Sequence, residues 1–220
     1  MIRFGSLLFC TMLGSGVAIC ACGSSGGGEG GSGGAGGGGG GVGGSTLTPT
    51  EAVLAVVPRD NTIAGWTVDS TVKLTAGQVA AVALDFKKAE EYIDGGANPF
   101  YTATFGPDAF AWQSYYNPTA TADGYTLSLY VMKMPSAAQA TLIYDSLLDG
   151  SKAFYSSNTW ADTSPMVGDK GRITNSGADW WINFRKGAFY CEVRLTYAES
   201  TDLVGKQQTI DFATAVASKI

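Results

Sequence analysis

Acid–base chemistry in this chain would have to come from carboxylates, lysines and tyrosines, because none of its 220 residues is histidine. That removes the side chain whose ordinary pKa lies nearest neutrality, and with it the commonest zinc ligand. No G-x-S-x-G, Walker or EF-hand pattern occurs either. The remaining catalytic candidate is the pair Glu90 and Asp94, four residues apart in "KKAEEYIDGG". On a helix that spacing puts both carboxylates on one face, as the general acid and base of a glycan-directed hydrolase would require. The competing reading is a solvated face on which Lys87 meets Glu91, with Asp94 bracing a turn at Gly95. It asks less of the sequence, so the chain leans away from being an enzyme. No cofactor and no metal site is expected.

Aromatic residues are the other candidates, for binding rather than catalysis. Trp180 and Trp181 are adjacent in a strand pattern, so they must point to opposite faces of a sheet. One of them belongs to a core. The other, Trp181, would form a platform with Tyr190 and Tyr130 if its face is open, stacking on a sugar ring or receiving a protein partner. Trp160, in a polar loop, is a lid or a plug over the core. A formal net charge of −5 argues against nucleic acid, which needs a basic surface.

The four cysteines fall into two groups. Cys10, Cys20 and Cys22 lie near the start, and Cys191 lies far away in "FYCEVRLTY". Phe189, Cys191, Val193 and Leu195 alternate with Tyr190, Glu192 and Arg194, which puts Cys191 on the apolar side of a strand. It is expected to be a core thiol. The start reads as a signal peptide, residues 1–21, with Arg3 as its positive end and an apolar run from Phe4 to Ile19 that is short for a permanent span. "I-C-A-C" resembles the lipobox of bacterial lipoproteins, with Cys22 as the modified residue, since Ala21 precedes it and bulky Ile19 precedes Cys20. The resemblance implies a diacylglyceryl thioether on Cys22, cleavage before it and acylation of the new amino group with a palmitate-type chain. Two or more such chains hold a protein on a bilayer. Gly23, where inner-membrane lipoproteins of well-studied Gram-negative type carry Asp, implies the outer membrane, facing periplasm or cell surface, rather than the inner.

Residues 22–47 are mostly glycine after Cys22 and cannot bury enough apolar surface to fold. They are expected to be a disordered tether spanning about 25–30 Å on average and about 75 Å when extended. "GSGGAG" matches GxGxxG only by composition, because neither a strand precedes it nor a helix follows.

Residues 48–220 are expected to form one domain. Thr48, Pro49 and Glu51 make a capping box before a helix that Pro58 ends. A short strand within "NTIAGWTVDSTVKLT" is followed by a helix in "ALDFKKAEEYIDGGANPFYTATF", with Phe86, Ala89, Tyr92, Ile93 and Ala97 at helical spacing. "AFAWQSYY" and "YTLSLYVM" form a hairpin, and Ser136 caps a helix in "MPSAAQATLIYDSLL". A loop over 151–169 leads into a meander of "GRITN", "DWWINF" and "FYCEVRLTY", and a helix from about Asp202 closes the chain. The fold class is therefore α+β, an antiparallel sheet of about five strands with helices packed mainly on one face. The order of Gly65-Trp66, "YIDGGA", Met134, Ser136, Ala140 and "KGAFY" is similar to a family of bacterial envelope proteins classed only as a domain of unknown function. That likeness implies a fold and no activity. Together the readings anticipate a lipid-anchored envelope protein that binds a protein or glycan partner without catalysis. A glycan-directed hydrolase and a structural accessory subunit of an envelope complex are the alternatives.

Overall fold

Thr48 opens the folded chain in the way its spacing to Glu51 predicts. Its hydroxyl accepts from the Glu51 N–H at 3.3 Å, and the Glu51 carboxylate accepts from the Thr48 N–H at 2.8 Å, around helix α1 (Pro49–Val56). The carboxylate also accepts from the Thr48 hydroxyl at 2.8 Å, and the two bonds it accepts from Thr48, backbone first, hold the Glu51 carboxyl below its ordinary pKa. The computed structural model describes residues 47–69, 80–93, 100–101, 105–119, 124–147, 158–196, 198 and 201–220, and of Tyr92 and Ile93 the backbone alone. The signal peptide, Cys22, the tether and Asp94 lie outside the described residues.

After α1 come β1 (Thr67–Val68), β2 (Ala81–Ala83), α2 (Phe86–Ile93), β3 (Ala109–Asn117), β4 (Tyr125–Lys133) and α3 (Ala137–Ser146). They are followed by β5 (Ala161–Asp162), β6 (Lys170–Ser176), β7 (Asp179–Lys186), β8 (Phe189–Thr196) and α4 (Leu203–Ala217). The class is α+β, as expected, but the antiparallel sheet has eight strands among the described residues rather than about five. Its order is β1-β3-β4-β8-β7-β6-β5, with β2 also pairing with β3. The additions are short strands: β1 and β2 share the outer edge of β3, and β5 borders β6. The predicted hairpin and meander are both present, joined by the long-range pairing of β4 with β8. Gly177 and Gly187 hold positive φ in the two tight turns of the meander, a conformation costly for other residues.

A second correction concerns the helices, which do not pack mainly on one face. On one face α1 and α4 close over Leu127, Leu129, Val131, Ile182, Cys191 and Val193. On the other, Ala140, Ile143 and Tyr144 of α3 and Ala89 of α2 join Phe110, Met132 and Tyr190. Strands buried on both sides need apolar or satisfied groups on both, so alternate positions that looked outward are interior. Trp180 enters the first core and Trp181 lies on the second face, as the alternation requires. Cys191 is fully buried among apolar neighbours, and that burial pushes its thiol pKa upward.

Asp202 ties α4 to the sheet. Its carboxylate caps the helix by accepting from the Gly205 N–H at 2.8 Å and from the Tyr125 hydroxyl at 2.5 Å, while its carbonyl accepts from Trp180 Nε1 at 3.1 Å. On α2, Lys88 rather than Lys87 pairs with Glu91.

Candidate functional site

Antiparallel register lines up one row of side chains across the second face of the sheet. Arg172 on β6 stands opposite Asn183 on β7, which stands opposite Glu192 on β8, then Tyr130 on β4 and Trp112 on β3. Side chains directly opposite one another are in reach of contact. The row is polar in a place where polarity is costly: Arg172 is 4 % exposed, Asn183 0 % and Glu192 3 %. Glu192 accepts a hydrogen bond from the Tyr190 hydroxyl at 2.6 Å.

Arg172 and Asn183 are not so provided. Nε and Nη2 of Arg172 are buried without a hydrogen-bond partner, as are both polar atoms of the Asn183 amide. Among the described residues no carboxylate comes within salt-bridge distance of Arg172, although Asp162 is its register partner on β5. Its guanidinium is held instead between rings, 4.0 Å from the centre of Tyr144 and 5.2 Å from that of Trp160. A cation over an aromatic face is worth up to about 2 kcal/mol when desolvated, well short of what a buried unpaired charge costs.

Arg172 is one of the residues lining a cavity of about 220 Å³, although its Nε and Nη2 are themselves sealed from solvent. Tyr144 and Arg172 are the buried members of its wall, Trp160 is half-buried, and Asp145, Ala161, Asp162 and Lys170 form an exposed rim. Three elements and the residue before β5 build the described part of it. α3, capped by Ser136 accepting from the Gln139 N–H at 3.2 Å, buries Ala140, Ile143 and Tyr144 along one side. β6 supplies Lys170 and Arg172 on one face, β5 supplies Asp162, and Trp160 immediately precedes β5. Gly171, between the two cations, permits close approach of the preceding loop: a Cβ there would stand 2.7 Å from the Val167 carbonyl oxygen. Burial pushes the Tyr144 phenol upward in pKa, outweighing the opposing effect of Arg172, so the group stays a neutral hydroxyl at neutral pH.

The site residues expected from sequence are distributed differently. Trp181, Tyr190 and Tyr130 do share one face, but they form no open platform. Tyr190 is fully buried, Tyr130 and Trp181 are half-buried against the second core, and the Arg194 guanidinium lies 4.6 Å over the Trp181 ring. Trp160 alone of that group reaches the cavity. Glu90 sits on α2, which packs on β2 beyond β3, whereas the cavity is at the β6–β5 edge. Sequence reasoning passed over Arg172, Tyr144, Asp145, Asp162 and Lys170. The available signal was the alternation of Arg172 with Ile173, which reads as solvent-facing only if the second face is uncovered.

Among the described residues no group of acidic, cysteine or histidine side chains is placed to hold a metal ion. No helix among them is long and apolar enough to cross a membrane. Neither a protein-family model nor a curated protein matches this chain.

Proposed function

We propose that this chain is a lipid-anchored envelope lipoprotein whose domain is a non-catalytic binding module, taking a glycan at the cavity between α3, β5 and β6. The observation that carries the reading is the cavity of about 220 Å³ itself, walled by the largely buried Arg172 and Tyr144 and by the half-buried ring of Trp160. Around Arg172 the cavity combines a half-buried indole with exposed Asp145, Asp162 and Lys170. An apolar ring face with hydrogen-bonding groups at its edge matches a sugar, which is apolar across its ring and hydroxylated around it. The cavity is smaller than the roughly 300–1,000 Å³ of drug-sized ligand sites, so it suits one terminal ring of a glycan rather than the length of a chain.

The full-length protein in detergent micelles, titrated with an oligosaccharide panel while tryptophan fluorescence is followed, tests this directly. Saturable quenching with at least one glycan, lost in Trp160→Ala, is expected. Silence across neutral, acidic and amino sugars alike would overturn the glycan reading.

A further inference from the structure

Three methionines lie among the described residues, and they differ sharply in access to solvent: Met132 and Met134 are fully buried, whereas Met166 is 48 % exposed. The Met166 sulfur nevertheless has a specific partner. β5 ends at Asp162, and beyond it Gly171 turns both backbone groups toward residues 163–166. Its carbonyl accepts from the Thr163 N–H at 3.0 Å, and its N–H donates to Sδ of Met166 at 3.2 Å. A thioether, a weak acceptor, thus continues the edge pairing where the strand stops. The Thr163 hydroxyl lies 3.8 Å from the sulfur but has the Gly171 carbonyl nearer, at 3.4 Å. One sulfur lone pair is therefore closely engaged, and the other has no close donor among the described residues.

We propose that Met166 is a reversible oxidation site whose sulfoxide releases the Gly171 N–H at the edge of β6. Neither step involves a ligand in the cavity. The oxidant is a hydroperoxide such as hydrogen peroxide. A sulfur lone pair attacks one peroxide oxygen, the S–O bond forms as the O–O bond breaks, and sulfur gives up two electrons; the departing hydroxide takes the proton of the transferred oxygen and leaves as water. The product is a polar, chiral side chain in place of a flexible apolar one. A nitrogen–sulfur separation of 3.2 Å leaves no room for an oxygen between the two atoms, so the sulfoxide has to swing away. The backbone beside it is pinned: Val167 is 1 % exposed, Thr163 is 4 % exposed, and the Val167 N–H donates to Thr163 Oγ1 at 2.9 Å. The Met166 side chain therefore moves alone, and the Gly171 N–H loses its acceptor. Gly171 lies between Lys170 and Arg172, so the contact ties the oxidation state of one exposed side chain to the strand that supplies two residues of the cavity wall.

The test treats the full-length protein in micelles with dilute hydrogen peroxide, follows each methionine by peptide mass, and measures exchange of the Gly171 amide proton by nuclear magnetic resonance on the same material. Met166 is expected to gain one oxygen at least about 10-fold faster than Met132 or Met134. Gly171 amide exchange should rise about 5-fold or more in the oxidised protein, as loss of one hydrogen bond implies, and return after treatment with methionine sulfoxide reductase. Met166→Leu keeps the bulk and removes the acceptor, so its Gly171 amide should exchange fast from the start and be indifferent to peroxide. Oxidation of Met132 or Met134 as fast as Met166 would overturn the site. Selective oxidation with Gly171 exchange unchanged or slowed would overturn the release, and so would Met166→Leu protein whose Gly171 amide exchanges as slowly as the parent's.

Discussion

A residue retained for binding at the expense of stability has a signature that one retained for packing does not. Leu129 and Ile182, both fully buried, contribute about 1.5–3 kcal/mol each, and their truncation can only destabilise. Arg172 is different because its burial removes water from Nε and Nη2 and supplies no acceptor in exchange. Leaving such donors unsatisfied costs about 1–3 kcal/mol, more for a charged group. Arg172→Met fills similar volume against Tyr144 without that penalty, and is expected to raise the unfolding free energy of the ligand-free protein by about 1–3 kcal/mol, read as a higher urea midpoint with unchanged slope. A midpoint lowered by the substitution would mean that stacking on Tyr144 and Trp160 outweighs desolvation, making Arg172 a structural residue. From sequence alone Arg172 was invisible as a candidate: in "GRITN" it alternates with Ile173, which reads as the outward residue of a half-buried strand. Trp160 was legible as a candidate because a tryptophan in a polar loop reads as a lid or a plug, and it both packs against the second core and reaches the cavity. Trp181 and Tyr190 misled for the same reason that hid Arg172, since both readings assumed an open second face.

The helices were legible where their first turns carry local hydrogen-bonding chemistry, at Thr48 and Ser136, and so were the strands long enough to alternate. β2 and β5 were not, being three and two residues long, too short for any period to register. The pairing of β4 with β8, sixty-odd positions apart in the chain, leaves no local trace at all. Asp202 is the point at which one element is fastened to two others, so its variants probe the assembly. Asp202→Ala removes the cap of α4 and the acceptor of the Tyr125 hydroxyl, and is expected to cost about 0.5–2 kcal/mol for the cap alone. Asp202→Asn keeps an acceptor oxygen and should lose less. The same contact predicts an alkaline response. Burial, with the Asp202 carboxylate next in effect, raises the Tyr125 pKa from 10.0 to about 12, which favours the neutral phenol in the folded state. Its contribution to stability is therefore complete below pH 10 and disappears as pH rises through about 12. Denaturant midpoints measured from pH 9 to 12 should fall less steeply in Tyr125→Phe than in the parent. An identical slope in both would show that the Tyr125–Asp202 contact carries no linkage.

At the scale of the whole molecule, the proposed envelope location requires a means of attachment. The proposed anchor is chemical: acyl chains on Cys22, each buried methylene worth about 0.8 kcal/mol. One chain gives marginal, reversible binding and two or more give stable attachment, so retention should behave as a switch and not as a graded property. Cys22→Ser removes both the thioether and the processing that frees the amino group for acylation. Expressed in a bacterium that processes lipoproteins, this variant should lose lipid labelling and leave the membrane fraction, whereas Cys20→Ser should keep both, because the proposed cleavage removes Cys20 with residues 1–21. The reverse pattern would transfer the anchor to Cys20, and retention of both variants would remove acylation as the means of attachment. The described cavity residues lie between Tyr144 and Arg172, far from Cys22 in the chain, so affinity for a monovalent sugar should be the same in the Cys22→Ser protein as in the parent. Binding to a polymeric, multivalent glycan should differ, since anchored copies share a surface and can engage neighbouring termini together, converting weak single contacts into avidity. Loss of monovalent affinity on removing the anchor would mean that the lipid or the signal segment contributes to the site, and that the domain does not bind on its own.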